Sequence, residues 1–160
     1  MKELVGIAEQ IAAKLVARKQ TIAVAESSTG GLVSASLLAV PGASAYFLGG
    51  AVVYTRDARR LLADIPDEAM KGIRSASEPY AQLLAGQIRE RFATDWGLSE
   101  TGAAGPTGNR YGAAAGHSCM AVAGPKSSVI TLETASADRL ANMHAFAARA
   151  LNLLLENLSG

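Results

Sequence analysis

Two glycine-rich stretches of this chain gather its chemistry-bearing residues. The first, Ala25 to Gly31 (AESSTGG), follows a short apolar run and opens into a helical pattern. There the backbone N–H groups of Thr29 to Leu32 point outward from a helix N-terminus, where unpaired donors and the positive end of the helix dipole suit a phosphate or a developing oxyanion. Gly30 and Gly31 let a ligand approach that backbone. The competing reading of the same residues is a tight strand-to-helix turn capped by Ser28 or Thr29. Glu26, an acid at the end of an apolar strand, suits a capping or solvated edge position as well as a site, and Ser27 shares that place. The second stretch, Thr101 to Gly116 (TGAAGPTGNRYGAAAG), holds five glycines and reads as a long flexible loop. Loops of that length inside compact domains are usually functional or mobile. His117 follows it at the start of a strand, either as a satisfied polar residue or as a proton acceptor. With His144 and Cys119 it makes no metal-ligand spacing, so neither a metal nor a cofactor is expected.

The elements that must position these residues are legible from periodicity. Residues 2 to 19 place Leu4, Ile7, Ala8, Ile11 and Leu15 at the spacing of an amphipathic helix. Thr21 to Ala25 is short, apolar and partly β-branched, which predicts a strand. Leu32 to Val40 predicts a helix stopped by Pro41-Gly42. Tyr46 to Tyr54 is nearly all apolar, as in a strand covered by helices on both faces, and Gly49-Gly50 marks a bulge or a close approach. Residues 56 to 63 and 67 to 72 read as short helical pieces. Glu78 to Ala93 reads as a longer helix, with Ser77 as N-cap and Pro79 in the first turn. Strands follow at Gly97 to Thr101, Ser118 to Ala123 and Val129 to Glu133, with Gly124-Pro125-Lys126 turning between the last two. Asp138 to Leu158 closes the chain as a helix with Leu140, Met143, Ala147, Leu151 and Leu154 along one face. The sum is an α/β fold over residues 1 to 160: a three-layer α/β/α sandwich with a mixed, mostly parallel sheet of about five strands, in a single domain.

Four blocks in order carry a resemblance: AESSTGG, then Pro41 to Arg60 (PGASAYFLGGAVVYTRDARR), then Ser77-Glu78-Pro79, then Thr101 to Gly108 (TGAAGPTG). Together they resemble the C-terminal domain of the CinA family, the nicotinamide-nucleotide amidohydrolases. That family's pattern runs ESCTGG, PGSS-x-x-F, a tyrosine followed five residues later by a lysine, SEP and GIAGP. The resemblance covers nearly the whole chain. It implies hydrolysis of the carboxamide of nicotinamide mononucleotide, a small nucleotide substrate, to nicotinic acid mononucleotide and ammonia. It also implies Ser44 as nucleophile, Tyr54 relaying or positioning the proton, and Arg59 at the place of the family's base. Glu26, Ser27, Thr29, Gly30, Gly31, Thr101, Gly102, Gly105, Pro106, His117 and Arg139 would line the substrate site.

Arg59 is the main departure from that pattern. A serine hydroxyl attacks an amide only if something takes its proton. A buried lysine can be pushed toward neutrality and do so, whereas a guanidinium, with a pKa above ~12, keeps its proton. General-base assistance is worth ~10²–10⁴ in rate. Three routes remain open: Tyr54, near Arg56, Arg59 and Arg60, acting as the base; His117 acting as the base; or a catalytically silent nucleotide-binding or regulatory domain in which Arg59 grips a phosphate or carboxylate. A second departure is Met143. Ala137-Asp138-Arg139 keeps the acid and first arginine of the family's GDR block, but Met143 replaces the arginine four residues on.

Composition bounds the rest. With 160 residues, 49% hydrophobic and 18% charged, the chain is long enough and apolar enough to bury a core without staples. A net charge of +1 gives no footprint for nucleic acid. The single cysteine excludes an internal disulfide framework, suits a reducing compartment and reads as a small core residue. No 18-residue apolar stretch and no signal-peptide run is present, so a cytoplasmic protein without a membrane partner is expected. The Ala- and Leu-rich terminal helices leave a homo-oligomer interface open.

Overall fold

Five consecutive buried residues, Ile22–Glu26, form strand β1, and the rest of the sheet is laid down on either side of it. The computed structural model describes residues 1–159. Strand β1 pairs in parallel with β2 (Phe47–Val52) and with β3 (Trp96–Ala103). Antiparallel pairing then joins β3 to β4 (His117–Ala123) and β4 to β5 (Ser128–Glu133), giving the order β2-β1-β3-β4-β5. All strands but β4 therefore run the same way. The sheet is mixed and mostly parallel, as the alternation of helices and strands implies.

Two helical layers cover it because successive strand residues face opposite ways. Ile22, Val24, Leu98, Met120 and Val122 pack with α1 (Lys2–Arg18), α2 (Leu32–Leu38) and α5 (Arg139–Ser159), around Trp96, Phe146, Leu151 and Leu154. Ala23 and Ala25 face α3 (Arg56–Ala63) and α4 (Glu78–Phe92), against Tyr80, Leu84 and Ile88, while Cys119 and Ala121 meet Ala81 and Ala85. The small residues on this second face let α4 lie close to the sheet. At Gly97 a Cβ would stand only 2.2 Å from the Ala85 carbonyl oxygen. The caps follow the sequence: Ser77 Oγ accepts from Tyr80 N–H at 3.3 Å, and Thr55 Oγ1 accepts from Ala58 N–H at 3.1 Å.

Three expectations are corrected. Strand β2 is not buried between helices along its length; it is the sheet's edge, its residues alternating between half-buried and exposed. The Gly49-Gly50 pair is explained by close approach on both sides, since a Cβ would lie 2.4 Å from the Phe92 ring at Gly49 and 2.4 Å from Ser34 Oγ at Gly50. The register with β1 also shifts there, between Ile22 and Ala23. In α5, Leu140 is exposed and the buried seam runs through Phe146 and Ala150. Strand β3 continues to Ala103 because Thr101–Ala103 pair with His117–Cys119, which shortens the glycine-rich loop. No helix among the described residues is long and apolar enough to cross a membrane.

Two glycines of α4 and β3 test this packing. Gly97→Ala should lower the urea-unfolding free energy by ~1–3 kcal/mol through overpacking against α4. Gly86→Ala, at a helical position where a Cβ meets nothing within 4 Å, should raise it by roughly 0.5–1 kcal/mol.

Candidate active site

The parallel strands β1, β2 and β3 run side by side toward one end of the sheet. Register places Glu26 beside Val52 and Ala25 beside Ser99. The next positions on, Ser27, Val53 and Thr101, therefore adjoin, and all three line one cavity. Ligand crevices of α/β sheets lie at this carboxyl end of the strands. The cavity, about 540 Å³, is of the size that holds a small molecule. Of the residues expected at a site it is lined by Ser27, Tyr54, Arg59, Thr101 and Gly102. Val53, Met70, Ile73 and Tyr80 give it an apolar wall. Arg56, Arg59 and Arg110 set three guanidinium groups against the single carboxylate of Asp67.

Two buried carboxylates fix the turn that carries Ser27. Glu26 Oε1 accepts from Thr29 Oγ1 at 2.7 Å, Gly31 N–H at 2.9 Å and Val33 N–H at 3.1 Å, and its Oε2 accepts from Ser34 N–H and Oγ. Glu100, the neighbouring acid on β3, accepts on Oε1 from Ser27 N–H at 3.1 Å, Thr29 N–H at 2.9 Å and Thr29 Oγ1 at 2.9 Å. Its Oε2 accepts from the hydroxyls of Ser28 and Ser118. Burial pushes the Glu100 carboxyl above the usual carboxylate range, against the lowering effect of these donors. The amides expected to receive an anion at the start of α2 are thus already spent: Thr29 donates to Glu100, Gly31 to Glu26, and Gly30 and Leu32 to the Ser27 and Thr29 carbonyls. Glu26, Thr29, Gly30 and Gly31 lie outside the cavity lining and build the turn. Met143 closes the same corner, its Cε lying 3.1 Å from where a Gly30 Cβ would be.

Arg59 is buried on α3 and donates from Nη2 to Asp67 Oδ1 at 2.8 Å, while its Nε has no partner. Arg56 donates to both oxygens of Asp67, at 3.2 and 2.8 Å. The Arg56 hydrogen bond, with that of Arg59, holds Asp67 well below the usual carboxylate range, at about 2. Tyr54, exposed at the cavity mouth, accepts at Oη from Arg139 Nη2 at 3.1 Å, and Arg139 Nη1 also donates to the Gly105 carbonyl. Arg139 thereby ties Tyr54 to the glycine-rich loop from outside the lining, and Gly105 and Pro106 lie outside it too.

Ser44 is not brought to this site. It is exposed in a short 3-10 turn, Ala43–Ala45, that precedes β2, whereas Tyr54 follows β2. The intervening strand spans about 20 Å at ~3.3 Å per residue. His117 is also displaced. It lines a second cavity, about 460 Å³, beyond Ala76, where its Nδ1 meets Glu133 and its Nε2 lies 2.7 Å from the Ala76 carbonyl oxygen. Both ring nitrogens are engaged, so it is not a base for Ser27. Sequence reasoning missed Asp67, Glu100, Arg110 and Tyr111. Glu100 had a signal, an acid inside a stretch expected to be a strand. The loop that presents Arg110 and Tyr111 is folded on Asn109, whose Oδ1 accepts from the N–H groups of Tyr111 and Ala113 at 3.0 Å each.

Comparison with known proteins bears on the family and the fold. The family model described as the CinA C-terminal domain matches residues 5–158. A CinA-like protein of Gloeobacter violaceus is 41% identical over 119 residues, 74% of this chain and 28% of that protein. One of Acidobacterium capsulatum is 38% identical over 141 residues, 88% of this chain and 34% of that protein. The chain thus spans about a third of the length of the curated relatives it matches. Among solved structures, the competence damage-inducible protein A of Klebsiella pneumoniae superposes with a TM-score of 0.91 at 25% identity, covering 98% of this chain and 97% of that one.

The two carboxylates should respond differently to amidation. On the Oε2 side Glu100 faces only hydroxyls, which can turn to accept from an NH₂ group, so Glu100→Gln should stay within about 1 kcal/mol of the parent at neutral pH. Because the folded-state pKa of Glu100 is raised, its contribution is full below the usual carboxylate pKa and is lost as pH rises through the folded value. Glu100→Gln should flatten that fall in chemical-denaturation curves. Glu26 faces a backbone N–H with each oxygen, and Glu26→Gln should cost ~1–3 kcal/mol.

Proposed function

The chain belongs to the CinA C-terminal domain family, and on that premise we propose that it is an amidohydrolase of nicotinamide nucleotides in which Ser27, not Ser44, is the nucleophile. The observation that carries this reading is the meeting of Ser27, Tyr54 and Arg59 in one cavity with an apolar wall and an excess of guanidinium groups. The pyridine ring rests against Val53, Met70, Ile73 and Tyr80, the phosphate draws on Arg56 and Arg110, and the carboxamide lies at Ser27.

Ser27 Oγ attacks the carboxamide carbon. Its proton passes to Tyr54 Oη while the proton of Tyr54 passes to the amide nitrogen, so the relay needs no net base. The C–N bond breaks, ammonia leaves and an ester to Ser27 remains. Water then attacks that ester through the same relay, its oxygen joining the acyl carbon and a proton returning to Ser27, and the carboxylic acid departs. Arg139 holds Tyr54 in place through the 3.1 Å hydrogen bond to its Oη. Arg59 takes no proton; its charge is committed to Asp67 and contributes to the cationic wall. Without a lysine base the rate is expected to lie ~10²–10⁴ below that of a lysine-equipped site.

A second reading, a nucleotide-binding domain without turnover, is favoured by one observation: Arg59 is buried, permanently charged and paired, the arrangement of a binder and not of a base. Ammonia release from nicotinamide mononucleotide, measured beside calorimetric binding, separates the two. Under the amidohydrolase reading, Ser27→Ala should lose on the order of 10³-fold or more in kcat, while Ser44→Ala should stay close to the parent and Arg59→Lys should gain. Loss in Ser44→Ala with activity kept in Ser27→Ala would overturn the assignment of the nucleophile. Binding without any release of ammonia by the parent would support the second reading.

A further inference from the structure

Every backbone amide of the turn from Ser27 to Ser34 has an acceptor except one. Ser27 and Thr29 donate to Glu100, and Gly31, Val33 and Ser34 donate to Glu26. Gly30 donates to the Ser27 carbonyl and Leu32 to the Thr29 carbonyl. The N–H of Ser28 alone has no partner among the described residues, although Ser28 is buried. Buried backbone donors are paired in more than ~90% of cases, so an orphan beside a candidate nucleophile asks for a reason.

Thr101 supplies a second unspent donor next to it. Thr101 is 3% exposed, lines the cavity, and stands on the strand beside Ser27. Its Oγ1 accepts from Ala76 N–H at 3.1 Å, which leaves its own proton free for a partner other than Ala76. Ala76 is held for this purpose in an unusual conformation. Its φ of 54° lies in the left-handed region that favours glycine. It is pinned from the other side by His117 Nε2, 2.7 Å from its carbonyl oxygen. Strain of this kind persists only where the surroundings over-determine it.

We propose that the Thr101 hydroxyl, which lines the cavity, and the Ser28 amide, set just behind the lining, form the oxyanion site for Ser27, with Thr101 a catalytic residue. The proposal rests on the reading of Ser27 as nucleophile. As Ser27 Oγ bonds to the carboxamide carbon, the C=O π pair moves onto oxygen, and Thr101 O–H and Ser28 N–H donate hydrogen bonds to it without giving up their protons. The amide following a nucleophile on a strand-to-helix turn is placed by covalent geometry to do this. The Gly30 and Gly31 amides are not free for this role, since both are already spent.

The test uses 3-pyridylboronic acid, a planar carboxamide mimic whose boron becomes tetrahedral when a serine oxygen adds to it. Boron NMR should show the tetrahedral adduct with the parent and none with Ser27→Ala. Thr101→Val should weaken the adduct on the order of 10²-fold, the usual consequence of removing one oxyanion donor. Its affinity for intact nicotinamide mononucleotide, measured by calorimetry, should change little. Thr101→Ser should restore the adduct, and Thr101→Cys, with its weaker S–H donor, should fall between, which keeps the proposal falsifiable if the valine variant does not fold. Equal adduct affinity in parent and Thr101→Val, or in parent and Thr101→Cys, would overturn the oxyanion assignment while leaving Ser27 in place. So would equal losses of boronate and nucleotide binding. Only trigonal boron with the parent would overturn the Ser27 reading, and this inference with it.

Discussion

Glu26 and Glu100, two acids on neighbouring strands with no access to solvent, are the constraint on which the site depends. A buried carboxylate is costly unless its lone pairs are filled, and here both are filled by one short segment of chain, Ser27 to Ser34, with Ser118 completing the set. Thr29 Oγ1 stands between them, 2.7 Å from one acid and 2.9 Å from the other. It has one proton for two acceptors, which accords with burial pushing the Glu100 carboxyl toward its protonated form. The turn therefore has little freedom. Any other path of residues 27 to 34 would strand one of the acids, and it is this turn that presents Ser27 at the ends of the parallel strands.

The cavity inherits its character from the elements that follow the strands. Strand β2 hands over to α3, which brings Arg56 and Arg59 to Asp67. Strand β3 hands over to the loop folded on Asn109, which brings Arg110 and Tyr111. The antiparallel half of the sheet contributes from behind: Ser118 completes Glu100, and His117 holds Ala76 against Thr101. The two halves thus divide the work, one presenting side chains to a ligand and the other fixing the backbone beneath them.

The fold was legible because its helices and strands carry clean periods and stops, and the positions of Ser77, Pro79, Pro41 and Gly42 marked their ends. The site was legible only in part. Ser27, Tyr54, Arg59, Thr101 and Gly102 came together as the motif resemblance implied, but Ser44 did not. Ten residues look close in sequence, yet most of those between Ser44 and Tyr54 are an extended strand, so the two stand at opposite ends of the sheet. Glu26 had two readings, and the capping one prevails because its oxygens reach three amides of the following helix start. Asp67 carried no local signal at all. Its partners are eight and eleven residues away, and only the turn after α3 brings it to them.

The turn around Ser44 acquires a practical meaning from its distance. Cys119, the only cysteine, is buried among alanines, so the chain offers no accessible thiol. Pro41, Gly42, Ser44 and Ala45 are all exposed, and they lie at the far end of the sheet from the cavity. A Ser44→Cys substitution would give the molecule a single attachment point for a fluorophore, spin label or surface tether, leaving the mouth of the cavity unobstructed.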